Sequence, residues 1–246
     1  MGSREKDRIR RMVWDELLSR GIARFPLPPH GRIPNFAGAE DAAARLFATP
    51  EWNAASTVKV NPDSPQRPVR RRALLDGKIL VMPTPRLRRG FLLLDPSRIP
   101  KNRVGEASTI RGAFKYGRLL DTLEKLEALE SIDLIVEGSV AVDLWGRRLG
   151  KGEGYGELEY AILREMGIIV GDVPIATTVH DIQVIERPLP QDPWDVPIDL
   201  IATPTRLIRV KERPPRPQGI LWDLLPPSKL EEIPLLKALR RALGKR

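Results

Sequence analysis

Short apolar runs separated by helical stretches constrain this chain more than any other feature. STVKV at 56–60, KILVM at 78–82, FLLLD at 91–95, IDLIVEG and SVAVD within 132–143, and DLIATP at 199–204 are too short for buried helices. They are also rich in the branched residues that suit strands. Between them lie amphipathic stretches. One covers 67–76 and stops at Gly77. A second covers 117–130, with Leu119, Leu120, Leu123, Leu126 and Leu129 on one face, and a third covers 156–167 and ends on a glycine. Parallel strands need a helical crossover, so the alternation predicts an α/β fold with a mostly parallel sheet covered on both faces. Further strands are expected at 168–170, 182–186 and 206–210.

Toward the N-terminus, Ile9, Val13 and Leu17 recur at helical spacing, and Ser3 stands where a cap would. A second helix is expected over 38–48. FPLPPHGRIPNF breaks regular structure, and 96–116 reads as irregular. The last 36 residues are proline-rich and then helical over about 228–243. The expected organisation is therefore an α/β domain over 1–210 and a proline-rich basic extension over 211–246 that ends in a helix. The extension carries nine basic and four acidic residues, and the whole chain carries +9. Such a balance attracts anions, whether phosphorylated ligands or RNA, although a solvated face is the plainer reading of the tail.

The chain has no cysteine and only two histidines, His30 and His180. Disulfides, zinc-thiolate sites and cysteine nucleophiles are excluded, and a multi-histidine metal centre nearly so. His180-Asp181 reads as a loop histidine with a local hydrogen bond rather than a catalytic dyad. No apolar run approaches a membrane span, and MGSREKDRIRR has no apolar core behind its charges. A cytoplasmic monomer without membrane attachment is expected.

The chemistry concentrates at 137–163, EGSVAVDLWGRRLGKGEGYGELEYAIL. Gly150, Gly152, Gly154 and Gly156 alternate, and a helix begins at once. Glycines allow close backbone approach, and the free amides of the helix start favour an anion. Lys151 adds a charge, and Arg147 and Arg148 lie just upstream. Neither GxxxxGK[ST] nor GxGxxG is present, and taken alone the loop is equally a structural turn. Asp143 reads either as a ligand or as the anchor of the turn at 144–146. Arg70, Arg71 and Arg72 read as the solvent face of a helix or the lining of an anion channel.

The same stretch resembles the signature aFDxxGxRLGxGgGYYDR of the 5-formyltetrahydrofolate cyclo-ligase family. Asp143, Gly146, Arg148, Leu149, Gly150, Gly152, Gly154 and Tyr155 match in register. The family's N-terminal KxxLR appears as Lys6 to Arg10, and its late motif as Gln183, Pro190, Asp195-Val196-Pro197, Asp199 and Thr203. The form GKGEGYGELEY resembles the branch called methenyltetrahydrofolate synthase domain-containing proteins, whose larger members carry an RNA-recognition motif.

The resemblance implies a three-layer α/β/α sandwich, related to the NagB and CoA-transferase architecture. It implies conversion of 5-formyltetrahydrofolate to 5,10-methenyltetrahydrofolate with ATP and Mg²⁺, within one-carbon metabolism. It assigns nucleotide contacts to Lys6, Arg10, Gly150, Lys151, Gly152, Glu153 and Gly154. Tyr155 would face the folate and Arg148 the migrating charge, and Asp143 and Asp195 would be metal or nucleotide contacts. Where the family has Tyr-Tyr-Asp-Arg this chain has Tyr155-Gly156-Glu157-Leu158. That departure leaves a second reading open, a nucleotide- or RNA-binding relative without turnover. It also predicts that restoring Tyr-Asp-Arg improves turnover.

Overall fold

The computed structural model describes residues 4–244, so the Ser3 cap lies outside the described residues. Helix α1 (Arg4–Ser19) leads into an antiparallel pair, β1 (Ala23–Arg24) and β2 (Asn35–Phe36), within the proline-rich stretch. Then come α2 (Ala39–Phe47), α3 (Pro50–Ala54), β3 (Thr57–Val60), α4 (Arg67–Leu75), β4 (Ile79–Pro83) and β5 (Phe91–Leu94). The chain continues through α5 (Val104–Ala107), α6 (Ile110–Tyr116), β6 (Arg118–Leu120), α7 (Leu123–Glu127), β7 (Leu134–Glu137), β8 (Ala141–Asp143) and β9 (Arg148–Leu149). It closes with α8 (Tyr155–Glu165), β10 (Ile175–Thr178), β11 (Val184–Ile185), β12 (Leu200–Ala202), β13 (Leu207–Arg209), α9 (Pro227–Glu232) and α10 (Pro234–Ala242).

Eight strands form the central sheet in the order β13-β12-β10-β7-β3-β4-β5-β6. The five from β12 to β4 are parallel, while β13 pairs antiparallel with β12, β5 with β4, and β6 with β5. This is the mostly parallel α/β sheet that the alternation predicts. Side chains alternate between its faces. Val58, Val60, Leu80, Met82, Leu134, Val136, Leu200 and Ala202 pack with α2 and α4. Val81, Ile135, Ile175 and Ile201 pack on the other face with α7, α8 and α10. Three layers follow directly from two apolar sets of opposite parity. A smaller sheet, β11-β8-β9, packs with α1 through Ile9, Val13, Val140 and Leu149.

Several expectations change. Leu119 and Leu120 lie on the edge strand β6, because Thr122 accepts from Lys125 N and starts the helix only there. The stretch 96–116 holds α5 and α6, the latter capped by Thr109. Residues 168–170 do not form a strand. Gly167, at φ 71°, ends α8 in a Schellman arrangement, with Ile168 N donating to Leu163 O at 3.0 Å. The strand is instead β10, which inserts between β7 and β12. The C-terminal helix is two helices, divided at Pro234, whose ring cannot continue a helix.

The C-terminal segment is not a solvated face. Ile233, Leu235, Leu236 and Leu239 are buried in the core beside α7 and α8. Its first cations are also spent: Arg213 Nε lies 2.6 Å from Asp199, and Arg216 lies 2.5 Å from Asp199 and 3.0 Å from Asp172. No helix among the described residues is long and apolar enough to cross a membrane.

Candidate functional site

The crevice opens where the strand order reverses. From β3 the chain moves to β4 on one side and later returns to β7 on the other, so the carboxyl ends of β3 and β7 diverge. Lys59 sits near the end of β3 and Glu137 at the end of β7, both with the parity that faces α8. Glu159, on the second turn of α8, meets them. Lys59 Nζ lies 2.6 Å from Glu137 Oε1 and 2.5 Å from Glu159 Oε2, and all three are buried. Burial pushes the Glu159 carboxyl up to about 7, against the pull of Lys59. Burial also draws Lys59 down, but the two carboxylates outweigh it and its pKa is raised.

Backbone and amide contacts hold this group in place. Asn61 Nδ2 donates to Glu159 Oε2 at 3.0 Å, while its Oδ1 accepts from Gly138 N at 3.0 Å. Arg70 is buried and donates to the carbonyls of Asn61, Asp63 and Ser108 at 2.5–2.9 Å. The expected solvent face of α4 thus hides one of its three arginines, which fixes the loop after β3.

Above this floor lies the glycine loop. Gly152 and Gly154 take φ of 101° and 73°, in the region that favours glycine, and Gly154 caps α8. Arg10 Nε donates to Gly150 O at 2.7 Å, and a Cβ on Gly152 would stand 3.3 Å from the Arg10 guanidinium. The first helix therefore braces the loop. Lys6 and Arg10 are both buried on the inner face of α1. Lys6 Nζ lies 2.7 Å from Asp192 and 2.5 Å from Asp195. Burial raises the Asp195 carboxyl pKa, opposed by the Asp192 amide and by Lys6.

Two cavities of about 550 and 520 Å³ flank the loop. The first, over the strand ends, is lined by Asn61, Asp63, Glu137, Lys151, Tyr155 and Glu159, with Arg32, Arg86 and Arg88 among its cations. The second is lined by Lys6, Arg10, Gly152, Asp195 and Trp194, and Ile220, Leu221, Leu224 and Leu225 close it from the C-terminal segment. Arg148, Gly150, Glu153, Gly154 and Glu157 line both. Arg148 is the buried joint between them. Its Nη1 donates to Gly138 O at 2.6 Å, its Nη2 pairs with Glu157, and its Nε has no partner among the described residues. Burial works against its charge, but Glu157 and Glu137 outweigh that and raise its pKa.

The other expected residues fall as follows. Lys151 faces the first cavity with its charge engaged by Glu153 at 2.7 Å. Tyr155 lines the same cavity, donates to Glu232 at 2.7 Å and lies under Lys229, whose Nζ is 3.4 Å from the ring centre. Burial and the bond to Glu232 push its hydroxyl pKa up. Asp143 is corrected. It is fully buried and lines neither cavity. One oxygen accepts from Trp145 N and Arg147 N, both at 2.9 Å, and the other from Leu189 N at 2.8 Å. It anchors the turn. His180 accepts from Ile182 N and caps a short turn, while Asp181 accepts from Thr203 and Thr205, so the two form no dyad.

Residues 3–204 match the model of the 5-formyltetrahydrofolate cyclo-ligase family. The chain belongs to that family. Proteins named methenyltetrahydrofolate synthase domain-containing protein are 42% identical in Mus musculus over 239 residues and 38% identical in Homo sapiens over 238. Both alignments cover 96% of this chain but only 63% and 61% of those proteins, so the chain spans under two thirds of their length. The NMR structure of Aquifex aeolicus 5,10-methenyltetrahydrofolate synthetase shares the fold. Its TM-score is 0.52 at 21% identity, covering 86% of this chain and 96% of that one.

Against the cyclo-ligase signature, the departure at 156–158 now has a physical shape. A Cβ on Gly156 would stand 3.0 Å from both Arg148 Nη2 and Glu137 Oε2. The space is not slack; it is taken by that pair. Glu157 holds Arg148, and Leu158 packs against the core. Sequence reasoning missed Lys59, Asn61, Glu137 and Glu159. The signal available was a lone charge inside each of two apolar runs, STVKV and LIVEG.

Proposed function

We propose that the chain is an ATP-dependent ligase that closes 5-formyltetrahydrofolate to 5,10-methenyltetrahydrofolate. The supporting observation is that two ligand-sized cavities meet at one glycine loop and one buried arginine. A ligase of this kind brings two substrates together at a single point and needs no protein nucleophile. The nucleotide takes the second cavity, with its phosphates against Gly150–Gly154 and the cations of α1. Trp194 and the leucines of the C-terminal segment offer its base an apolar wall. The folate takes the first cavity, where Arg32, Arg86 and Arg88 suit its carboxylates.

The γ-phosphoryl group passes to the formyl oxygen, folate N10 attacks the formyl carbon, and phosphate leaves. Charge migrates past Arg148, whose unpartnered Nε is a buried donor at the junction. A preorganised contact of this type contributes about 3 kcal/mol in a transition state. Arg10 holds the loop, and Tyr155 shapes the folate side. Among the described residues no cluster of three or more His, Cys, Asp or Glu could hold a metal by itself. Mg²⁺ would come with the nucleotide phosphates, and Asp192 and Asp195, which line the second cavity and already pair with Lys6, would be candidate contacts to it. Such an ion neutralises phosphate charge.

The test is an absorbance assay for methenyltetrahydrofolate with the purified chain, ATP and Mg²⁺. Product formation that requires both substrates supports the reading. Tight ATP binding without product, under conditions where 5-formyltetrahydrofolate is saturating, overturns it.

A further inference from the structure

The floor of the first cavity carries a group that the reaction above does not use. Glu137 is buried, and only one of its oxygens is paired, Oε1 with Lys59. Oε2 has no hydrogen-bond partner among the described residues. Buried carboxylate oxygens are rarely left so, because the desolvation they suffer is uncompensated. This one is covered, but it belongs to a residue of the cavity wall. Glu137, Gly138, Gly156 and Glu159 all line the cavity, and any side chain on Gly156 would begin 3.0 Å from Oε2. With glycine at 156, no side chain of that residue covers the oxygen from the cavity side.

We propose that Glu137 Oε2 is the acceptor for an N–H group of the ligand in the first cavity. On the reading that this ligand is the reduced folate, it receives the aminopyrimidinone edge of the ring. A metal cation fits poorly there. Lys59 already lies 2.6 Å from the same carboxylate, and the Arg148 guanidinium also lies 3.0 Å from the Gly156 Cβ position. Lys59 is shared with Glu159 and Arg148 is held by Glu157, so a neutral, polarised N–H donor satisfies the remaining oxygen without disturbing either pair. The carboxylate cannot drift, since Lys59 holds one oxygen and Thr177 Oγ1 donates to the Glu137 carbonyl at 2.7 Å. Glu137 is therefore a binding residue for the ring, placed on rigid strand ends at the switch point of the sheet.

Two variants test this, read by calorimetry with 5-formyltetrahydrofolate and separately with Mg·ATP. Glu137→Gln exchanges the acceptor for an amide while Lys59 keeps Glu159. Gly156→Ala leaves the three buried charges untouched and puts a methyl in front of Oε2. Each should weaken folate binding about tenfold or more, as for loss of one charge-assisted hydrogen bond, and leave Mg·ATP within about twofold. If Glu137→Gln does not fold, Gly156→Ala decides alone, since alanine favours the helix it joins. Wild-type folate binding with no loss in Gly156→Ala overturns the role of Glu137 and spares the proposed reaction. A wild type that binds Mg·ATP but no folate overturns the folate reading and this role with it.

Discussion

Replacing Lys59 by methionine should make stability steeply dependent on pH. The lysine lies between two buried carboxylates, 2.6 Å from Glu137 and 2.5 Å from Glu159. Methionine matches its unbranched shape, so the change removes charge more than volume. Breaking a buried ion pair from one side typically costs about 3–5 kcal/mol. The sign with pH follows from Glu159. Its folded pKa of about 7 lies above the ordinary 4.5, so the native state binds more protons between those values. Stability from this group is complete below about pH 4.5 and is lost as pH rises through 7. The gap corresponds to about 3 kcal/mol at roughly 1.36 kcal/mol per pH unit. Without Lys59, the attraction that holds Glu159 down is gone and the window extends upward. Urea unfolding should therefore show Lys59→Met losing about 3–5 kcal/mol at pH 8 and less near pH 5, where Glu159 is protonated. Equal losses at the two pH values, or a loss below about 1 kcal/mol at pH 8, would refute the buried triad.

Three further outcomes are expected. Changing Gly156-Glu157-Leu158 to Tyr-Asp-Arg should lower thermal stability by about 1–3 kcal/mol and should not speed methenyltetrahydrofolate formation, because the tyrosine Cβ meets Glu137 and Arg148 at 3.0 Å; faster product formation would count against the filled site. Asp143→Ala should cost about 3 kcal/mol in urea unfolding, since three backbone amides lose their acceptor, while Mg·ATP affinity of the folded variant stays within about threefold. Lys151→Ala should weaken Mg·ATP by only about fivefold in calorimetry, because Glu153 at 2.7 Å already engages that charge, and Glu153→Gln should strengthen it by a similar factor.

Local signals were legible. The parity of apolar residues in STVKV, LIVEG and DLIATP matches the two faces of the sheet. The alternating glycines predict a loop that needs positive φ, and Gly152 and Gly154 have it. Lys6 and Arg10, one helical turn apart, turn the same way toward that loop. What escaped were elements whose partner decides their form. Leu119 and Leu120 have helical spacing with Leu123 and Leu126, yet pairing with β5 along a sheet edge wins over propensity. Ile168 and Ile169 have strand-like branching, but the Schellman turn at Gly167 consumes their amides.

The floor of the site was hidden for the same reason. Lys59, Glu137 and Glu159 come from three elements, and the first two are separated by 78 positions. A lone charge in an apolar run marks Lys59 as unusual, but only the register of β3 against β7 brings it to Glu137. Read alone, Gly156 is a missing side chain and suggests a loosened substrate. Seen with its neighbours, it is the condition for Glu137 and Arg148 to occupy that space, since both lie 3.0 Å from where a Cβ would begin. Arg148 belongs to the matched signature, so what is particular to this chain is a glycine beside that guanidinium and the Glu137 carboxylate. A tyrosine placed at 156 must push the Glu137 carboxylate or the Arg148 guanidinium aside by a few tenths of an ångström, and both are buried and held by Lys59 and Glu157.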